Sequence, residues 1–536
     1  MKKASAHALT LAALAVVVVQ VLALATRYFQ PWLDADYLLP QRFAVDVWAG
    51  VYPLSGWTLS SSPYLFPDFA FSLLWHVVLG DAPLLPFYLV TSYGTLALLA
   101  GWSLHRANPA APHAWLSGAL LVNVLLAWQG AADHARWLWW LGTATFHGGA
   151  VLLGLAQFAL WAGPTAVAPT RARATVATLL LFIGLASDTL LLTQFVAPLG
   201  LALLATAGAP RWRAPRVRAF LIAVLSAYGL VAILRGSLWL AGWWNFPRVV
   251  RHAPTPSAVA GAAQSLASDL TGPVATAVPG FIGLFLVCTG AALWLTLRPT
   301  VARAGVGEGE TARQASWFAA AGLASTLLLP ALAVYWQNPQ HGRYLLPCLI
   351  LPLWWLFTRL PLARLQTPFV AGLVTSLLLL LAWVRGPQIH PAAWAWPYPE
   401  RVAALDRFLT AEGRERGLAD FWNAHYLNTV ARSDLRLNQL RPDGRVQFWG
   451  NNAFHHFEVD AATGALRVPR YTFIVTNGLD PAALRVKFGE PSRIAPVADY
   501  EVWLYDEAAA QRLSAQVDGE VRHFLGDRPG TARIAR

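Results

Sequence analysis

Charge is what this chain has least of. Charged residues make up 13% of its 536 positions, about half the share usual in soluble proteins, and that excludes an ordinary water-soluble globule. Lysine is nearly missing, confined to Lys2, Lys3 and Lys487. Arginine therefore carries the formal net charge of +12. In a chain this apolar, basic residues set membrane orientation, so the excess is not a nucleic-acid signature. The two cysteines, Cys288 and Cys348, sit in apolar segments without metal-ligand spacing, which excludes a disulfide framework. They read as small buried hydrophobes. The polar C-terminal part contains no repeat, P-loop or Gly-rich dinucleotide motif, and the apolar part has no inverted repeat of the kind carriers use.

What is there is a succession of long apolar runs. A membrane-spanning helix needs about 20 apolar residues, and the pattern predicts about eleven spans. They fall near Ala6–Thr26, Leu84–Leu104, Ala114–Trp128, Thr145–Trp161, Val176–Ala186, Leu190–Ala205, Ala219–Leu234, Val278–Leu297, Ser316–Tyr335, Tyr344–Phe357 and Pro368–Val384. The first follows Met1-Lys2-Lys3 and lacks a small-x-small cleavage site before Arg27, so it reads as an uncleaved helix. Phe69–Leu79 is apolar but about half a span long, and is expected to lie at the interface. On that reading the inside loops carry most of the loop arginines before the last helix, among them Arg106, Arg171, Arg173, Arg211, Arg213, Arg216 and Arg218. This is the positive-inside pattern; letting Phe69–Leu79 span would reverse it.

The chain thus divides into a transmembrane domain, residues 1–385 with an external first loop 27–83, and a soluble domain, residues 386–536. The expected localisation is a bacterial inner membrane, with the N-terminus cytoplasmic and the C-terminal domain periplasmic. Val402, Leu405, Phe408 and Leu409 recur at helical spacing in Pro399–Gly413. Strand-like runs follow at Leu435–Leu440, Val446–Trp449, Tyr471–Thr476 and Tyr500–Tyr505, with a helix at Pro481–Phe488. Strands interleaved with helices predict a small α/β domain.

The external connections hold the candidate chemistry. The first carries Asp34, Asp36, Asp46 and Asp68; the second Asp133, His134 and Arg136, then His147; the third Asp188. The fourth carries Trp243, Trp244, Arg248, Arg251 and His252, and the fifth His341 and Arg343. A carboxylate at a membrane surface can deprotonate an acceptor hydroxyl or position a metal ion. Arginine at the same depth can clamp a phosphate, and aromatic rings can hold a lipid carrier or a sugar. Each feature also has a plainer reading. Loop acids are commonly solvated or capping, Asp188 suits a helix N-terminus, interfacial tryptophans are commonly anchors, and Arg343 can simply mark the outer end of its helix.

Three runs carry a resemblance: Trp32-Leu33-Asp34-Ala35-Asp36-Tyr37, then Pro67–Gly80, and His341-Gly342-Arg343-Tyr344-Leu345-Leu346-Pro347. A first helix, an external acidic pair, interfacial helices, many further helices and a periplasmic domain together resemble the GT-C superfamily. These are membrane glycosyltransferases, protein O-mannosyltransferases and aminoarabinose transferases among them. The chain departs from the usual Asp-Glu pair in placing Ala35 between two aspartates. The resemblance implies an inverting glycosyltransferase, for a hexose or pentose, using a polyprenyl-phosphate sugar donor. An envelope glycan, lipid or protein would be the acceptor, with membrane lipids as surroundings. Asp34, Asp36 and Asp133 would be catalytic, and Arg343, Arg248, Arg251 and His341 would hold the donor phosphate. No ligand cluster fixes a cofactor; the acids leave room for a divalent cation, magnesium or manganese. The rival expectations are a transporter or lipid flippase, and a non-catalytic envelope assembly protein.

Overall fold

The computed structural model describes residues 2–33, 35–60, 62–109, 111, 113–131, 147–207, 210–240, 255–257, 260–261, 264, 308–332, 346–359, 368–459 and 466–526. The first part is helical. It runs α1 (Lys2–Trp32), α2 (Ala35–Ala49), a short strand β1 (Trp57–Thr58), α3 (Ala70–Leu79), α4 (Leu85–Ala107) and α5 (Ala114–Ala131). There follow α6 (Gly148–Trp161), α7 (Arg171–Ser187), α8 (Ala197–Thr206), α9 (Pro215–Leu240), α10 (Glu308–Leu332), α11 (Leu346–Arg359) and α12 (Pro368–Arg385).

Four of the described helices are long and apolar enough to cross a membrane: Ala6–Phe29, Leu85–Ala107, Pro215–Leu240 and Val370–Gln388. Val278–Leu297 lies outside the described residues, as do the ends of Thr145–Trp161, Ser316–Tyr335 and Tyr344–Phe357; what is described of the other apolar runs is helical almost throughout. Large apolar side chains stand out on α9 and α12, Leu225 at 72% and Trp383 at 78% exposure, a surface that water disfavours over so wide an area. Between helices the contacts are partly polar. Buried Gln20 of α1 donates to the side-chain oxygen of Asn123 of α5 at 2.7 Å, and Asn123 donates to the Ala13 carbonyl at 2.9 Å. Each amide thereby finds a partner where water is absent.

Helix α6 has two chemically different ends. At its C-terminus, Arg173 donates to the carbonyls of Ala159 (2.8 Å) and Ala162 (3.1 Å). Arg216 donates to Trp161 O (3.0 Å) and Arg106 to Ala162 O (3.0 Å). Three guanidiniums thus satisfy carbonyls that a helix end leaves unpaired, on the side where its dipole favours cations. At the N-terminus sits His147, paired with Asp188, and Tyr64 and Pro67 of the first loop lie at that end.

The last part is a small α/β unit: α13 (Glu400–Ala411), β2 (Arg416–Asp420), α14 (Phe421–Val430), β3 (Arg436–Leu440), β4 (Asn451–Asn452), β5 (Glu458–Val459), β6 (Leu466–Arg467), β7 (Phe473–Val475), α15 (Pro481–Phe488), β8 (Arg493–Val497), β9 (Tyr500–Leu504) and α16 (Glu507–Gly526). Five strands form one sheet in the order β3-β2-β7-β9-β8. Strand β2 runs parallel to β3 and β7, while β9 is antiparallel to β7 and β8. Strand alternation sorts the two faces. Leu418, Ile474 and Trp503 pack with Leu513, Val517 and Val521 of α16. Ala419, Phe473, Val475 and Val502 share a core with Val402 and Leu405 of α13 and Leu427 of α14.

Val446–Trp449 departs from expectation. Only a bridge between Leu440 and Val446 forms. The run then leaves the sheet, with Phe448 stacked on Phe524 of α16 at 3.6 Å between centroids. A specific aromatic contact there outweighs strand propensity.

The first loop and the α/β unit are joined by a clasp. Strand β1 pairs antiparallel with β4, Trp57 opposite Asn452 and Thr58 opposite Asn451. Gly450 N donates to Thr58 O at 2.8 Å. Trp394 and Trp396 add indole donations to Thr26 Oγ1 (2.9 Å) and Asp81 O (3.0 Å).

Candidate functional site

Of the seven residues expected to form the site, Asp34, Asp133, Arg248, Arg251, His341 and Arg343 lie outside the described residues. Asp36 is described. It stands half-buried in the first turn of α2, where the helix dipole favours a carboxylate.

From Asp36 the helix leads into a cavity of about 700 Å³ between the first loop and the α/β unit. One wall is α2, through Leu38, Gln41, Arg42, Val45 and Asp46; the other includes Arg416, Arg436, Asn438, His455 and Glu458. The volume falls in the usual range of small-molecule sites, roughly 300–1,000 Å³. Polar groups from segments nearly 400 residues apart converge on it only because the β1–β4 clasp holds the two parts together.

Asp46 is the hub of that wall. Its carboxylate accepts from Trp57 Nε1 at 2.8 Å and Asn452 Nδ2 at 3.0 Å, and pairs with His455 Nε2 at 2.9 Å. Burial would raise its pKa, but the His455 and Asn452 hydrogen bonds and the Arg42 charge outweigh that and hold it below the usual carboxylate range. For His455, burial lowers the pKa against the pull of Asp46. The pair is therefore a neutral imidazole donating Nε2–H to an ionised carboxylate.

Arg42, one turn earlier on the same face of α2, does not pair with Asp46. Its Nη1 lies 2.9 Å from His425 Nδ1. A guanidinium only donates, so Nδ1 accepts and the proton of neutral His425 must be on Nε2. That nitrogen lies 2.6 Å from the Gln439 amide, which must then present its oxygen. The Gln439 oxygen otherwise stays buried without a partner, and turning the amide removes that orphan. Burial first, then the Arg42 charge, pushes the His425 pKa well below the usual histidine value, in keeping with this tautomer.

Two further acids of the loops are also buried. Asp68 accepts from Tyr88 OH at 2.7 Å. Asp188 pairs with His147 Nδ1 at 2.7 Å and accepts from Leu190 N at 3.0 Å, so it does serve as a helix-start cap. Of the plainer reading of Asp46 and Asp68 as solvated or capping acids, the solvated alternative is corrected by these partners. Sequence reasoning missed Arg42, His425, His455 and Arg436 altogether. The available signals were the Arg42/Asp46 spacing of four and the run Phe454-His455-His456-Phe457-Glu458. Among the described residues, no group of three or more His, Cys, Asp or Glu is placed to hold a metal ion. Comparison with protein-family models, with curated proteins and with solved structures gave no match.

Proposed function

We propose that this protein is an inverting membrane glycosyltransferase of the GT-C kind. It would transfer a sugar from a polyprenyl-phosphate donor to an envelope acceptor at the outer face of a bacterial inner membrane. The observation that carries the reading is the course of α2, which bears Asp36 in its first turn and runs directly into the wall of a sugar-sized cavity. An acid at the membrane edge and an acceptor-sized space are thereby one helix turn apart. The exposed apolar faces of α9 and α12 and the arginine cluster at one end of α6 support a membrane-spanning arrangement with the cavity outside.

In the step itself an acceptor hydroxyl oxygen attacks the anomeric carbon from the face opposite the phosphate. The bond from that carbon to the phosphate oxygen breaks, and polyprenyl phosphate leaves with the electron pair. Asp34 takes the hydroxyl proton and Asp36 supports it, with Asp133 as the second-loop acid. Arg343, Arg248, Arg251 and His341 hold the phosphate and stabilise its growing charge.

The test is a mass-spectrometric profile of envelope glycans in cells lacking the gene, complemented at matched protein level. Wild type restores a missing sugar. Asp34→Asn/Asp36→Asn lowers its incorporation on the order of a hundredfold or more, the usual contribution of a positioned base. Full restoration by the double variant overturns the assignment and favours an assembly role.

A further inference from the structure

The parallel register of β2 and β3 sets Arg416 directly beside Arg436 at the first position of each strand. Neighbouring strands are about 4.8 Å apart and in-register partners share a face, so two guanidiniums start side by side. Like charges so placed are destabilising. Glu458 relieves one of them, pairing with Arg416 Nε at 2.5 Å. Arg436 has no ion pair or side-chain hydrogen bond among the described residues, although its peptide nitrogen is held by Glu415 O at 2.9 Å. The third arginine of the same cavity, Arg42, forms no ion pair among the described residues: its donors go to two histidines, His425 at 2.9 Å and His455 at 3.4 Å, and the Asp46 charge acts on it only at longer range.

Among the described residues, the carboxylates lining this space form an ion pair with only one of these three arginines. Asp46 is engaged by three donors and Glu458 by Arg416, while Asp81, on the rim, is ion-paired to none of the arginines. Arg436 is close enough to Arg42 for their charges to oppose each other. Two guanidiniums without an ion pair therefore face one hydrophilic cavity: Arg436, with no carboxylate partner, and Arg42, with only the already engaged Asp46 carboxylate near it.

We infer that this cavity binds an oxyanion-bearing ligand, a phosphate or carboxylate group on a hydrophilic molecule, with Arg436 as the principal contact and Arg42 behind it. A planar fork of N–H donors matches either oxyanion bidentately, and the bound charge relieves the repulsion between the two arginines. The inference stands whether or not the protein transfers sugars.

The test uses the full-length protein in phosphatidylcholine nanodiscs, with thermal shift and calorimetric titration as readouts. Inorganic phosphate and glucuronate are the soluble anionic probes and glucose the neutral one; nanodiscs containing phosphatidylglycerol present the same chemistry as a lipid headgroup. Ligand that binds only the folded state raises the melting temperature. Phosphate or glucuronate is expected to stabilise where glucose does not. Arg436→Gln, at an exposed strand start, should weaken binding on the order of tenfold or more, Arg436→Lys should recover part of it, and Arg445→Gln, outside the cavity, should change nothing. Stabilisation by phosphatidylglycerol alone, lost in Arg436→Gln, assigns the same site to a lipid headgroup. Equal binding by wild type and Arg436→Gln, or glucose binding as well as the anions, overturns the inference.

Discussion

A buried carboxylate is stabilising only while its donors stay in place, and Asp46 has three. Asp46→Ala removes the acceptor from Trp57, Asn452 and His455 together. Breaking a buried pair by deleting one partner costs on the order of 3 kcal/mol, so a loss of unfolding free energy of that size, read from a lower denaturation midpoint, is expected. An unchanged midpoint would show the hub to be dispensable. The histidines nearby give a second prediction, in pH. Burial lowers the pKa of His425 and His455, and takes that of His456 down to about 3. In the unfolded chain these groups protonate near pH 6.5, so below that pH the unfolded state binds more protons than the folded one. Stability is complete above about pH 6.5 and declines as the pH falls, by at most about 1.4 kcal/mol per pH unit for each histidine. Asp46, whose folded pKa is depressed, adds to the loss only below about pH 4. The melting temperature should therefore fall between pH 7 and 5; a flat profile over that range would contradict neutral burial of all three.

The clasp is the element on which the cavity depends, and Gly56 is its tightest point. A β-carbon there would overlap the Asn452 side-chain oxygen and the Phe454 ring. Gly56→Ala should therefore destabilise by about 1–3 kcal/mol, the usual cost of overpacking, and should lower the tryptophan-fluorescence unfolding midpoint, since Trp57 is fully buried beside it. Nothing in the sequence announces β1 and β4, each two residues long, because their pairing is a long-range contact that local periodicity does not record. The same holds for β2, Arg416–Asp420, where two charged residues flank only three small or apolar ones. Helix α2 lies in the external loop 27–83, where Asp36, Arg42, Asp46 and the internal Pro40 break up its apolar pattern. Elements whose own pattern is strong were legible: the long apolar helices, α3 as half a span, α13, α15 and β9. Helix α16 was legible in principle, its buried Ala510, Leu513, Val517, Val521 and Leu525 recurring at helical spacing, but its charged outer face hid it from a reading led by hydropathy. Asp36, in the first turn of α2, was legible as a candidate. The arginines and histidines opposite it were not, since the fold alone brings them to α2.

At the scale of the molecule the argument turns on α6, whose 14 residues span about 21 Å. Arg106, Arg173 and Arg216 converge on its C-terminal carbonyls, and the basic turn Arg211–Arg213 precedes α9 just before Arg216. The other end bears His147 and Asp188, close to Ser62 and Tyr64 of the first loop, and that loop carries the α/β unit through the clasp. Basic loops face the cytoplasm because translocating them is disfavoured, so the two ends of α6 should report opposite compartments. Val486, 90% exposed on α15, and Trp212, 60% exposed in the basic turn, are the probes. In a background with Cys288→Ser and Cys348→Ser, Val486→Cys should react with a membrane-impermeant maleimide on intact spheroplasts, and Trp212→Cys only after permeabilisation. The reverse pattern would place the cavity in the cytoplasm, away from a lipid-linked donor presented at the outer face, and the proposed transfer would fail with it. Labelling of both positions in intact spheroplasts would remove the membrane barrier between the two ends of α6 and with it the spanning arrangement.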